Sequence, residues 1–147
     1  MIKRNIVLIA SILMIAACQN SKPKTSVKQN TYSFFLGTYT DGDSKGIYKL
    51  KMEADGHLKM IGLVAETANP SFLAFANNQK TLLSINELVK DNNMGSVESY
   101  QTGDSLKLIS CKPSGGAHPC FVTANDAGVV LTANYTGGNV GYLQVDE

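Results

Sequence analysis

Two side chains of this 147-residue sequence, His118 and Glu87, have the chemistry of a general acid or base. His118 follows Gly115-Gly116, whose backbone N–H groups can approach an anion closely because glycine has no side chain. The other histidine, His57, directly follows an Asp55-Gly56 turn and is expected to face solvent. A histidine or a carboxylate can transfer a proton to or from a reacting group, and nearby backbone N–H groups can stabilise negative charge that develops in the reaction. His118 and Glu87 are therefore the candidate catalytic residues.

Polar residues at equivalent strand ends form a second set of candidates. Asn86-Glu87 and Asn134-Tyr135 each follow an apolar, strand-like segment. Side chains repeated in this way could bind sugar hydroxyls or a phosphate, which makes Asn86, Asn134 and Tyr135 candidate substrate-binding residues. The alternative is that such residues satisfy backbone groups of neighbouring structural units, because buried polar groups are generally hydrogen-bonded. Both interpretations stay open here, and they stay open for His118 and Glu87 as well.

Cys111, His118 and Cys120 lie close together in the sequence but are not expected to bind a metal. A structural zinc site needs four ligands, and no fourth ligand is evident nearby. The chain also has no Gly-x-Ser-x-Gly motif and no glycine-rich nucleotide loop. We therefore expect no metal and no cofactor, and we expect both cysteines to be small, buried or half-buried apolar side chains.

The composition is that of an ordinary globular domain, with 44% hydrophobic and 17% charged residues. The formal net charge is +1, and the basic residues do not cluster. A nearly neutral chain offers no electrostatic basis for binding a phosphate backbone, so no nucleic-acid partner is expected.

The N-terminal segment is typical of an exported lipoprotein. Lys3 and Arg4 precede an uncharged apolar run over 6–17, which is too short to span a bilayer as a helix. Ile15-Ala16-Ala17-Cys18 follows and resembles a bacterial lipobox, in which the cysteine is acylated and becomes the new N-terminus. The alternative is a buried apolar helix that ends in an incidental cysteine.

This pattern predicts a signal peptide over 1–17, a lipid on Cys18 and a polar, lipid-anchored tether over 18–30. The membrane would then be a partner through the lipid anchor. Because Gln19 is not an acidic sorting residue, the expected location is the cell envelope, at the periplasmic face of the outer membrane.

From residue 31 onward the sequence predicts an all-β fold. Short segments rich in strand-forming residues alternate with Gly, Asn, Asp and Pro, and no window has a sustained 3.6-residue apolar period. The predicted strands are 32–38, 46–53, 58–65, 71–76, 80–86, 95–101, 105–111, 120–125, 129–134 and 139–145.

The predicted strands repeat at a spacing of 48 or 49 residues. Residues 69–75 resemble residues 118–124, residues 83–87 resemble residues 131–135, and residues 35–39 are an earlier copy. A four-stranded unit that recurs every ~40–50 residues is typical of β-propeller blades, and a β-sandwich with similar hairpins is the alternative.

The spacing predicts one complete blade, from the four segments over 71–111. The three segments before it lack an inner strand, and the three after it lack an outer strand. Residues 31–147 are therefore expected to be the N-terminal portion of a β-propeller domain.

Several segments in this order resemble the seven-bladed β-propeller lactonase family, which includes the propeller-type 6-phosphogluconolactonases. They are Phe35-Leu36-Gly37-Thr38-Tyr39-Thr40, Lys45-Gly46-Ile47-Tyr48, Asn69-Pro70-Ser71-Phe72-Leu73, Asn86-Glu87, Gly116-Ala117-His118-Pro119-Cys120 and Ala133-Asn134-Tyr135. The resemblance implies hydrolysis of a sugar-acid lactone, such as 6-phosphoglucono-1,5-lactone, near the mouth of the central channel and without an obligatory metal.

Two features depart from what the resemblance implies. Phe121 occupies a position at which many family members have a histidine, and a phenyl ring cannot transfer a proton. An exported protein would also not meet the phosphorylated intermediates of the cytosol. The alternative function is a non-catalytic extracytoplasmic propeller that binds a carbohydrate or a protein partner. The three blades alone are expected to be inactive, because the family's remaining candidate groups lie on later blades.

Replacing Cys18 by serine should abolish lipidation and release the protein from the membrane fraction, because the acylated thiol is the proposed anchor. Fractionation and intact mass of wild-type and Cys18→Ser protein measure both effects. A variant of unchanged mass that stays equally membrane-bound would contradict the predicted anchor.

Overall fold

The computed structural model describes residues 31–89 and 94–145, and all regular structure within these ranges is β. The predicted signal peptide, Cys18 and the tether lie outside the described residues. No helix in the described part of the chain is long and apolar enough to cross a membrane. The strands are β1 (Tyr32–Gly37), β2 (Gly46–Met52), β3 (Leu58–Glu66), β4 (Leu73–Ala76), β5 (Thr81–Asn86), β6 (Ser96–Gln101), β7 (Lys107–Pro113), β8 (Pro119–Ala124), β9 (Val129–Asn134) and β10 (Asn139–Gln144).

The strands form three antiparallel sheets in sequence order, which we call blade 1 (β1–β3), blade 2 (β4–β7) and blade 3 (β8–β10). Blade 2 has four strands, and the other two have three each. The predicted all-β fold is thus confirmed, with one complete and two partial blades and with every strand within two residues of its predicted bounds. The inner strands β4 and β8 contact each other, as adjacent blades of a propeller require.

Blade 2 is packed on both faces, and its strand β5 shows this most clearly. All six residues of β5 are buried. Leu83 belongs to an apolar cluster shared with Val122 and Val130 of blade 3. Its neighbour Leu82 belongs to a second cluster, which includes Ile47 of blade 1. Because successive side chains of a strand point to opposite faces, one strand supplies the core of both blade boundaries.

Close packing between the blades depends on a glycine at the end of β1. A methyl group on Gly37 would lie 1.9 Å from the carbonyl oxygen of Pro70, in the segment that connects blade 1 to blade 2. A side chain is therefore excluded at this position, and the connecting segment passes directly against the end of β1.

The prediction that both cysteines are buried or half-buried is wrong. Cys111 lies on the outer strand β7 and Cys120 on the inner strand β8, and both are exposed free thiols. A small apolar side chain on a strand is buried only where another part of the protein covers its face of the sheet. That coverage depends on the packing of the blades and not on the residue type. His57 is exposed, as predicted.

Replacing Gly37 by alanine should destabilise the protein by about 1–3 kcal/mol, because the added methyl group forces the backbone at Pro70 to move. Gly42→Ala is the matched control, since nothing lies within 4 Å of a methyl group at that position. Denaturant unfolding of the two variants gives the comparison. Equal stability of both would show that the segment at Pro70 can move without cost.

Candidate active site

The predicted site residues lie at one edge of the three blades, where β1, β5 and β9 end and β4 and β8 begin. Glu87 follows β5, Tyr135 follows β9 and His118 precedes β8. We call this the polar edge. It comprises Tyr39, Thr40, Asn69, Ser71, Glu87, His118, Tyr135 and Thr136.

Glu87 is half-buried, and hydrogen bonds from two blades hold one of its carboxylate oxygens. Its Oε2 accepts a hydrogen bond of 2.7 Å from the hydroxyl of Tyr39 in blade 1. It accepts a second one, of 2.6 Å, from Oγ of Ser71, just before β4 of its own blade. The bond to Glu87, followed by slight desolvation and the charge of the carboxylate, raises the pKa of the Tyr39 phenol. Glu87 therefore lies where a carboxylate can bind a hydroxyl group or a water molecule.

The backbone under the polar edge repeats between blades. Asn69 and His118 both have left-handed backbone conformations, with φ of 45° and 48°. The carbonyl oxygen of Asn69 accepts the N–H of Glu87 at 3.0 Å, and that of His118 accepts the N–H of Tyr135 at 2.9 Å. The sequence repeat thus corresponds to a turn that ties the start of the inner strand to the end of its neighbour.

His118 and Glu87 do not contact each other through a hydrogen bond. Nδ1 of His118 shares a hydrogen bond of 2.8 Å with Oγ1 of Thr136. The rings of Phe72, next to Ser71, and Phe121 pack with their centroids 4.9 Å apart, which brings the starts of β4 and β8 together. The two predicted catalytic residues therefore share the polar edge, and each has its own local partners.

Asn86 connects blade 2 to the segment that enters it from blade 1. The side chain is 1% exposed, and its Nδ2 donates to Oγ1 of Thr67 at 2.7 Å and to the carbonyl of Ala68 at 2.8 Å. Its Oδ1 accepts a hydrogen bond of 2.9 Å from Ser96. All polar atoms of the amide have partners, so the geometry favours the structural alternative over the substrate contact predicted for Asn86.

Asn134 has the equivalent position in blade 3 but a poorer set of partners. It is 3% exposed, and its Nδ2 donates to the carbonyl of Ser114 at 3.2 Å. Its Oδ1 is buried without a hydrogen-bond partner. The geometry again favours a connection between blades. Tyr135 differs, because 82% of it is exposed and its ring is open to a ligand.

Sequence reasoning missed Tyr39 and Ser71 as members of the site. The repeat carried a signal for Tyr39, because residues 39, 87 and 135 have the same position in successive copies. Equivalent positions on adjacent blades lie side by side, which is how Tyr39 reaches Glu87 across 48 residues of sequence.

An open groove of about 400 Å³ adjoins the polar edge between the loop at 40–45 and the segment at 66–68. Thr40, Lys45 and Glu66 are among its lining residues. Across residues 31–89 and 94–145, no three His, Cys, Asp or Glu side chains are placed to hold a metal ion.

Comparisons with known proteins agree with this architecture. Residues 33–147 match the family described as lactonase, 7-bladed beta-propeller. The chain is 34% identical over 121 residues to the 6-phosphogluconolactonase of Bacillus subtilis strain 168, an alignment that covers 79% of this chain and 34% of that protein.

Two solved structures share the fold of the three blades. One, from Bacteroides fragilis NCTC 9343, aligns with a TM-score of 0.74 and 32% identity over 83% of this chain and 34% of its own. The other is the periplasmic gluconolactonase of Pseudomonas aeruginosa, with a TM-score of 0.72 and 34% identity over 80% of this chain and 35% of its own. The chain thus spans about a third of the length of each of these relatives.

Asn86→Ala should reduce the free energy of unfolding by about 1–3 kcal/mol, because it removes the hydrogen bonds to Thr67 and Ala68 and leaves the buried hydroxyl of Ser96 without its acceptor. Asn134→Ala should cost less, since it removes one long hydrogen bond and also an unpaired buried oxygen. Denaturant unfolding measures both costs. A raised KM with unchanged stability would instead restore the predicted role in substrate binding.

Proposed function

Because the chain belongs to the seven-bladed β-propeller lactonase family, we propose that the whole protein hydrolyses the lactone of a sugar acid. The observation that carries this proposal is the half-buried Glu87 carboxylate, held from two blades at the polar edge. The relatives support it, since one is a 6-phosphogluconolactonase and another a periplasmic gluconolactonase. The reaction belongs to carbohydrate metabolism.

The proposed substrate is an unphosphorylated sugar lactone. Arginine and lysine are the usual partners of a phosphate, and none of the polar-edge residues defined above is either of them. Lys45 in the adjoining groove is a single cation beside Glu66. Tyr135 and the groove offer an aromatic ring and hydroxyl groups, which suit the hydroxyl-rich ring of a neutral sugar lactone.

In the proposed mechanism, Glu87 orients or deprotonates a water molecule through Oε1, which has no hydrogen-bond partner among the described residues. The water oxygen attacks the lactone carbonyl carbon, and the bond from that carbon to the ring oxygen breaks. His118 supplies a hydrogen bond or a proton to the oxygen that leaves, while the proton lost by water passes to Glu87. The product is the open-chain sugar acid.

We further propose that this reaction takes place at the cell envelope. The lipobox-like segment ending at Cys18 supports export and lipid anchoring, and the Pseudomonas aeruginosa relative is described as periplasmic. The lactone would then be met outside the cytosol, which agrees with an unphosphorylated substrate.

A non-catalytic carbohydrate-binding propeller is the alternative. The apolar pair of Phe72 and Phe121 favours it, because these half-exposed rings carry no group that can transfer a proton. Tight binding of a sugar lactone or sugar acid without turnover would support this alternative.

In the full-length protein, Glu87→Gln and His118→Ala should each lower kcat on gluconolactone by about 10²-fold, which is typical for the loss of an acid–base group. Glu53→Gln and His57→Ala are matched controls, because both residues lie in the turn between β2 and β3, at the edge of blade 1 opposite to the polar edge. The assay measures acid release, with spontaneous opening of the lactone subtracted at each pH.

A further variant, Phe121→His, should raise the rate, because it restores a titratable group beside Phe72. If the two loss variants keep the wild-type rate per folded molecule and Phe121→His gains nothing, the catalytic assignment to these blades is wrong.

Residues 31–147 alone should hydrolyse the lactone slowly or not at all, because three blades do not enclose a preorganised site. Full activity of this fragment would contradict that expectation.

A further inference from the structure

We propose that Tyr39 is a positioning residue, through which blade 1 orients the carboxylate of Glu87 in blade 2 for catalysis. The inference rests on the proposed lactone hydrolysis and adds to it a residue that acts through Glu87 and not on the substrate.

The hydrogen bonds to Glu87 are arranged to leave one oxygen available. Tyr39 and Ser71 both donate to Oε2, from opposite sides of the boundary between blades 1 and 2. Two donors on one oxygen fix the rotation of the carboxylate. Oε1 then has a defined direction and, within the described ranges, no protein partner, as a group that must accept a hydrogen bond from water requires.

A shared backbone anchor sets the distance between Tyr39 and Glu87. Asn69 binds the loop of blade 1, because its Oδ1 accepts both the N–H and the hydroxyl of Thr40 at 2.8 and 2.9 Å. The carbonyl of the same residue accepts the N–H of Glu87 at 3.0 Å and that of Ser71 at 2.8 Å. Asn69 is therefore hydrogen-bonded to the backbone segments that carry all three side chains of this group, which are Tyr39, Ser71 and Glu87. This arrangement reduces the entropy that aligning them would cost.

The carboxylate with two side-chain donors does not recur at the next blade boundary. At the boundary between blades 2 and 3, the residue equivalent to Ser71 is Cys120, whose thiol donates to the backbone of Ala133. The residue equivalent to Glu87 is Tyr135, which is largely exposed. The described blades thus share the backbone turn, and the carboxylate with its two donors is specific to the boundary of blades 1 and 2.

The electrostatics agree with a phenol that donates to a carboxylate. The charged groups that act on Tyr39 are Glu87 across the boundary and, more weakly, Asp41 from its own loop, and together they raise its pKa. Tyr39 therefore keeps its proton to a higher pH than a free phenol does, and the hydrogen bond is lost only as the pH rises through this raised pKa.

The test compares wild-type full-length protein with Tyr39→Phe, Ser71→Ala and the control Tyr32→Phe. Tyr32 is the first residue of β1, the strand that precedes the loop of Tyr39. It is half-exposed and makes no side-chain hydrogen bond among the described residues. Tyr39→Phe should lower kcat on gluconolactone about 3- to 10-fold with little change in KM, because Tyr39 contacts the carboxylate of Glu87 and not the substrate. Ser71→Ala should act in the same direction, and Tyr32→Phe should have no effect.

A second readout is independent of activity. The ¹³C resonance of the Glu87 carboxyl group, assigned with Glu87→Gln, should change its chemical shift in Tyr39→Phe relative to wild type at the same pH, because the carboxylate loses one of its two donors. Hydrolysis by wild type, together with an unchanged kcat and an unchanged ¹³C resonance in Tyr39→Phe, would overturn the inference and leave the proposed function standing. Absence of hydrolysis by the wild-type protein would overturn the proposed function and with it the catalytic role of Tyr39. The ¹³C resonance would then still decide whether Tyr39 holds the carboxylate.

Discussion

The burial of β5 on both faces is the constraint on which the described structure depends. A strand buried on both sides must send alternate side chains into two separate cores, and Leu82 and Leu83 do so. This fixes blade 2 against blade 1 and blade 3 at once. The register of β5 also fixes the positions of Asn86 and Glu87, which follow its apolar segment. A shift by one residue would exchange the two cores and turn the carboxylate away from its donors.

The chemistry of the polar edge results from variation at equivalent positions of a repeated turn. Asn69 and His118 have the same backbone conformation and make the same main-chain hydrogen bond, but their side chains differ in use. The amide of Asn69 ties two blades together, whereas the imidazole of His118 binds Thr136 in its own blade. The repeat therefore supplies the geometry, and the individual side chains supply the function.

Most of the fold could be predicted from the sequence. Strands and turns are local signals, and the blades repeat at a spacing of 48 or 49 residues that can be read directly from the sequence. The position of Glu87 at a strand end could be predicted for the same reason. Its partners could not, since the bond to Tyr39 depends on the relative orientation of two blades. The exposure of Cys111 and Cys120 was also missed, because residue type says nothing about which face of a sheet a neighbour covers. The repeat located Asn86 correctly but could not distinguish a ligand contact from the connection to Thr67 and Ala68.

The hydrogen-bonded group of Tyr39, Ser71 and Glu87 is divided between two blades, and this division has a consequence for how such proteins can diversify. Propellers can grow by duplication of whole blades, and a duplicated blade carries its own strands and its own side of each core that it shares with a neighbouring blade. A copy of blade 2 inserted elsewhere in the ring would keep Ser71 and Glu87 but would lose the hydroxyl of Tyr39, which blade 1 encodes. The site therefore belongs to the junction between two blades and not to a single blade. Recombination preserves the site only when blades 1 and 2 are transferred together.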